Sequence, residues 1–228
     1  MANQSMANQN GNAYGLTTLI PIKNGIKAEE SHASRVRRLL QTWSLDLNEH
    51  SPMAKVPNTY LCRFYVLNDV FYQGSPAREE HLKSKYLVFS TNFHGELEAY
   101  VRGMWDNVQT ELRELLQHCV AFDRVNNAED FVSYIKCCQV DNALFFNGST
   151  DDSLAEQLKA LYLKQAFAHF VFTHQHLINR GAESATELQR AFKAFMQYTQ
   201  PELAEPTWLV GHEREPEGLA EAINNLQY

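Results

Sequence analysis

The stretch KYLVFSTNFHGELEAYV, residues 85–101, constrains this chain more than any other. A β-like run, Tyr86-Leu87-Val88-Phe89, stops at Asn92-Phe93-His94-Gly95, and a helix-like run begins at once. Leu97, Tyr100, Val101, Met104, Val108, Leu112, Leu115 and Cys119 then recur at helical spacing. They predict one apolar stripe on a long helix from about Glu96 to His118. A strand that feeds straight into a one-sided helix belongs to a layered fold, in which a sheet face covers the stripe.

The neighbouring segments extend this pattern. GLTTLIPI, residues 15–22, reads as a first strand, with Pro21 at its end. Val36, Leu39, Leu40, Trp43 and Leu47 predict a first helix from Ala28 to about Leu47. TYLCRFYVL, residues 59–67, is a second strand rich in aromatic and β-branched residues. The loop from Gln73 to Ser84 has no helical crossover, so strands 59–67 and 85–91 are expected to be antiparallel neighbours. A short extended piece at Phe122–Val125, a helix over 127–139 and a fourth strand, NALFFN, at 142–147 complete the series. The order β-α-β-β-α-(α)-β predicts an α+β, ferredoxin-like sandwich.

After Asp151 the sequence is helical. Ser149-Thr150-Asp151 offers an N-cap, and a helix over 154–178 is apolar on almost every side through LYLKQAFAHFVF. Such a helix is buried or forms an interface. A further helix is expected at about 184–199. The predicted organisation is a disordered polar leader (1–14), a ferredoxin-like domain (15–150), a helical extension packed on it (151–200) and an acidic tail (201–228).

Bulk properties exclude several classes. The net charge of −7 argues against nonspecific binding to nucleic acid, which needs a basic footprint. No 18-residue apolar stretch predicts a membrane span. The N-terminal residues lack the basic and apolar regions of a secretory signal, so a cytoplasmic location is expected. Cys62, Cys119, Cys137 and Cys138 match no zinc spacing and are expected to be reduced and structural. P-loop, G-x-G-x-x-G and G-x-S-x-G motifs are absent from the sequence.

The segments LTTLIPIKNG, TYLCRFYVLND and KYLVFSTNFHGELEAYV together resemble the dimeric α/β-barrel group of ferredoxin-like proteins. That group includes antibiotic-biosynthesis-type monooxygenases, chlorite-dismutase-like proteins and dye-decolorising peroxidases. The likeness covers roughly residues 15–147 and rests on strand–helix junctions. It implies a homodimer and a small-molecule oxidoreductase, peroxidase-like or monooxygenase-like, with a pocket between sheet and helices. It admits haem without fixing a cofactor. The G-x-x-D-G segment of dye-decolorising peroxidases is absent, and no motif assigns a haem-ligating histidine.

Four residues stand out as candidates. His94 sits at a strand-to-helix junction, either as local punctuation or as an acid, base or ligand at a sheet end. Arg63 lies mid-strand. If Leu61 faces one side, Arg63 and Tyr65 share it, and Tyr60, Cys62 and Phe64 face the other. Arg63 then either forms a buried ion pair or contacts an anion or oxygen species in a pocket lined by Tyr65. His169 is the only ionisable side chain in AFAHFVF. It is either a core histidine or a proximal haem ligand. His169, His174 and His176 lack the i, i+4 spacing of a helical metal site, so no metal is expected. The reading is an oxidoreductase with His94, Arg63 and Tyr65 catalytic and His169 cofactor-binding. The alternative is a non-catalytic ligand-binding or protein-interaction module.

Overall fold

The structure, a computed structural model, describes residues 7–27, 29–43, 50–149, 151–177 and 181–204. The chain divides between Asp152 and Ser153 into two compact units.

The first unit is α+β, with an antiparallel sheet. Strand β1 (Gln9–Asn10) and strand β2 (Ala13–Pro21) form a hairpin. Gly11 has φ +60°, the value that the first residue of a two-residue hairpin turn requires of a glycine. The sheet therefore begins at Gln9, inside the stretch expected to be leader; residues 1–6 lie outside the described residues. Short strands β3 (Ile26–Lys27) and β4 (Glu30–Ser31) pair with each other and lead into helix α1 (His32–Thr42). Ser31 caps α1 by accepting from Ser34 N, so the helix starts four residues later than its apolar periodicity predicts. The helix stops at Thr42, with Trp43 as an extended C-cap, and the expected end near Leu47 lies outside the described residues.

Strand β5 (Thr59–Leu67) pairs antiparallel with β6 (Tyr86–His94), and β6 pairs antiparallel with β2. Helices α2 (Leu97–Leu116) and α3 (Ala128–Cys138) follow, and strand β7 (Gln139–Val140) lies against Thr17 and Thr18 on the outer edge of β2. The strand order is β7-β2-β6-β5, with β1 beside β7 on the same edge. Tyr14, Leu16 and Ile20, Cys62 and Phe64, and Leu87, Phe89 and Phe93 form the inner face. They pack against Ala33 and Val36 of α1, the full stripe of α2, and Phe131, Val132 and Ile135 of α3. Burial of these side chains is the main stabilising term, roughly 1.5–3 kcal/mol for each large apolar group.

Two expected elements differ. NALFFN does not continue the sheet as a fourth full strand. Asn142 spends its side-chain amide on the carbonyl of Gly15 at 2.9 Å, an acceptor that a ladder would have used. Phe145 packs so closely on Gly15 that a Cβ there would lie 2.7 Å from its ring. Leu144 and Phe146 point to solvent, which mimics strand alternation without strand pairing. Phe122–Arg124 is a 3-10 turn rather than an extended piece, entered through Ala121 at φ 61°.

The second unit holds helices α4 (Leu154–Thr173) and α5 (Ala182–Ala204). Ser153 caps α4 by accepting from Glu156 N at 3.3 Å. The cap is thus Ser153 and not the Ser149–Asp151 run. Tyr162, Ala166 and Phe170 of α4 close on Phe195 of α5. Of the expected tail, residues 205–228 lie outside the described residues. Among the described residues, no helix is long and apolar enough to cross a membrane.

Candidate functional site

The end of β6 carries the densest arrangement of functional groups. Phe93 is fixed first. Its ring stacks on Tyr14 at 5.2 Å and on Tyr100 at 3.8 Å. Tyr100, from the first turn of α2, meets the hydroxyls of Thr59 at 2.9 Å and Thr91 at 3.1 Å. Burial pushes the Tyr100 phenol up to about 12, so it stays a neutral hydrogen-bonding group. His94 follows Phe93 and, by alternation, belongs to the opposite, outer face.

Tyr60 reaches His94 because β5 is irregular between Thr59 and Leu61. Thr59 takes the inward position opposite Phe93, and the extra residue frees Tyr60 from strict alternation. The expected placement of Tyr60 with Cys62 and Phe64 is thereby corrected. The Tyr60 hydroxyl lies 2.9 Å from His94 Nδ1 and 2.6 Å from the carbonyl oxygen of Asp152. The rings meet edge-on at 6.3 Å.

These two contacts define a tautomer. A carbonyl oxygen only accepts, so the single Tyr60 proton goes to Asp152. The contact with His94 must then use a proton on Nδ1. In the neutral imidazole, Nε2 is left with its lone pair. Burial, with Asp151 and Asp152 adding to it, holds the Tyr60 phenol above its ordinary range and keeps it a donor.

Backbone conformation supports the cluster. The Asp151 carboxylate accepts from Asn12 N, with both oxygens at 2.9 Å, and from Asn12 Nδ2 at 3.2 Å. Gly95 N donates to Asn12 O at 2.7 Å, and His94 N donates to Asn58 O at 3.0 Å. Gly11, Asn58, Gly95 and Asp151 all have positive φ. Only the non-glycine positions of this set, Asn58 and Asp151, carry strain, and such positions often gather at functional sites.

The other expected residues lie elsewhere. Arg63 and Tyr65 are on the outer sheet face, opposite Ser90 and Val88. Counted from Ser90 and Val88, His94 lies four and six residues along β6, roughly 13 and 20 Å at strand rise. The three residues share a face but do not surround one reacting atom. Arg63 is exposed, and among the described residues it makes no ion pair, so the buried-pair reading fails. The inner face is filled by core side chains. A cleft of about 470 Å³ opens at its margin, between Tyr14 of β2, Glu96 and Glu98 at the start of α2, and Lys136 and Gln139. Gln139 donates to the Tyr14 hydroxyl at 2.8 Å, and Lys136 pairs with Glu98 at 2.6 Å.

His169 is half-buried on α4. The apolar groove of that unit is lined by His174 instead, together with Phe167, Phe170, Val171, Leu188 and Phe192. That set contains no cation to meet the two carboxylates of haem. The groove residues therefore do not fit haem, and His169 is not among them. Among the described residues, no group of three or more His, Cys, Asp and Glu side chains could hold a metal ion. All four cysteines are free, and burial pushes Cys62 and Cys138 up to about 11 and Cys119 to about 12.

Sequence reasoning missed Tyr60, Asp151 and Asp152. One signal was present. Asn10-Gly11-Asn12 is hairpin chemistry, and it brings Asn12 to Asp151. Comparison with known proteins adds nothing to this geometry: no family model, curated protein or solved structure matches the chain.

Proposed function

We propose that the chain is a small-molecule oxidoreductase, monooxygenase-like, on a ferredoxin-like sandwich of the dimeric α/β-barrel type. The antiparallel order β7-β2-β6-β5 supports the fold part of this reading. The observation that carries the activity is the committed proton of Tyr60, which leaves His94 Nε2 as a base. Nε2 takes a proton from an acidic methylene of the substrate, and the electron pair stays on carbon. Dioxygen, the co-substrate, accepts the electrons. The methylene becomes a carbonyl, and the second oxygen atom leaves as water. Tyr60 and the Asp152 carbonyl orient the imidazole and stabilise the imidazolium that forms. Arg63 and Tyr65, further along the same face, bind the remote end of the substrate.

The test is oxygen uptake with a panel of ketones bearing acidic methylenes, 2-tetralone among them. His94→Gln is expected to lower turnover by about 100-fold or more, the usual contribution of a general base. Uptake that His94→Gln leaves unchanged would sink the reading. A second reading, a ligand-binding or protein-interaction module, is favoured by one observation. Leu61 and Tyr65 stand on the outer sheet face 69% and 49% exposed. No uptake across the panel, with saturable binding retained, selects that module.

A further inference from the structure

The groove in the second unit lies between α4 and α5 and holds about 440 Å³. Its walls are Phe167, Phe170 and Val171 on α4 and Leu188 and Phe192 on α5. The aromatic rings present both faces and edges. Phe192 meets Phe170 edge-on at 5.8 Å, and Phe167 lies nearly parallel to Phe170 at 6.2 Å. Flat apolar guests pack well in such a mixed setting. The volume falls in the range of small-molecule sites.

One group makes this more than an apolar surface. His174, at the end of α4, is 8% exposed and lines the groove. Its ring packs on Phe170 at 4.4 Å. Its Nδ1 lies 2.8 Å from the Phe170 carbonyl oxygen. A carbonyl cannot donate, so Nδ1 carries the proton, and in the neutral ring Nε2 carries a lone pair. Among the described residues, Nε2 has no hydrogen-bond partner. Nε2 is not sealed from solvent, so an apolar guest that covers it leaves it unpaired, whereas a guest that supplies a donor does not.

From this we infer that the α4–α5 groove binds a small aromatic molecule carrying one hydrogen-bond donor, with the O–H or N–H directed to His174 Nε2. Binding there does not depend on the proposed oxygenation. The apolar walls supply affinity, and His174 Nε2, in a groove that Gln189 also lines, supplies discrimination. Rejection of an analogue that lacks the donor is the expected signature, because the acceptor is then left unpaired.

The experiment titrates the full chain with 2-naphthol and with naphthalene, following ligand fluorescence. Saturable 2-naphthol binding is expected, at least tenfold tighter than naphthalene. His174→Phe keeps the apolar bulk and removes the acceptor. It is expected to erase the preference while leaving naphthalene affinity within about twofold. His174→Gln places an amide oxygen near the Nε2 position and is expected to restore part of the preference. Leu188→Trp fills the groove and is expected to abolish binding of both ligands, with the helical circular dichroism unchanged. Equal affinity for the two ligands in the native chain overturns the proposal. So does a preference that survives His174→Phe, or a groove that binds neither ligand because light scattering shows it closed by a second copy.

Discussion

His32 and His118 face one another with their Nδ1 atoms 2.9 Å apart. One ring is the first residue of α1, and the other follows the end of α2. A hydrogen bond between two ring nitrogens needs one protonated and one bare Nδ1, so at most one of the two imidazoles can be charged. His118 is 3% exposed. Burial, then the neighbouring His32, then Lys27, Arg35 and Lys23, pull its pKa down from 6.5 to about 4. His32 is lowered as well, by burial and by Lys23, Lys27 and Arg35. The unfolded chain therefore takes up protons at these sites before the native chain does. The stabilising contribution is complete above pH 6.5, falls as pH drops below that value, and is lost at about pH 4. Urea denaturation is expected to show a loss of about 1–3 kcal/mol across this window. In His118→Gln the slope between pH 6.5 and about 4 is expected to flatten. The carboxylates Asp69, Glu98 and Glu129, whose pKa values are lowered, begin to act below about pH 5, so the slope between pH 6.5 and about 5 is not theirs.

Gly15 and Phe145 form a fitted pair. A Cβ on residue 15 would sit 2.7 Å from the Phe145 ring, and the backbone there needs no left-handed angle. Gly15→Val is thus a test of packing alone. It is expected to lower stability by about 1–3 kcal/mol through overpacking. Adding Phe145→Ala makes room, and the double variant is expected to recover a measurable part of the loss in a thermodynamic cycle. Strict additivity of the two changes would show that the loop at 142–147 does not hold this position in solution.

The legible parts of this fold are those where one local period dominates. The β6–α2 junction and the stripe of α2 emerge from the sequence because the large apolar residues from Leu97 to Leu115 serve one face. Gly95, with φ +98° and open space around it, is the glycine that the junction grammar demands. Tyr60 was hidden because a single irregularity in β5 breaks the alternation on which facing arguments rest. NALFFN misled because an alternating run reads as a strand whether or not its edge is available. His32 and His118 are 86 residues apart, and no local pattern joins them. The choice between His169 and His174 depends on which side of α4 meets α5. A helix apolar on nearly all sides does not encode that choice in its periodicity.

The outer sheet face offers a test of assembly. Leu19 of β2, Val88 of β6 and Tyr65 of β5 lie in register across it, with Leu61 nearer the His94 end. The homodimer implied by the family resemblance would cover this face with the same face of a second copy. Leu61→Glu places a charge among these side chains. It is expected to convert a dimer to a monomer in light scattering while leaving the melting temperature within a few degrees, since Leu61 is outside the core. A native chain that is monomeric at micromolar concentration removes the dimer from the proposed function.

The proton arrangement at His94 can be measured without any substrate. In the native chain, Tyr60 donates a hydrogen bond to the Asp152 carbonyl oxygen at 2.6 Å and accepts one from His94 Nδ1 at 2.9 Å. Nitrogen-15 spectra of the labelled protein are expected to show a protonated Nδ1 and a bare Nε2 for His94 at neutral pH. Tyr60→Phe removes the acceptor that holds the proton on Nδ1 and leaves the ring edge in place. The His94 signals are then expected to move toward a mixture of tautomers. Loss of the two hydrogen bonds made by the Tyr60 hydroxyl is expected to cost about 1–3 kcal/mol in stability. If the proposed oxygenation is correct, the same variant keeps substrate binding and loses turnover, because Nε2 is no longer held as the base. Should the spectra show Nε2 protonated in the native chain, His94 is a donor rather than a base. The junction would then be structural punctuation, with Gly95 its necessary second residue.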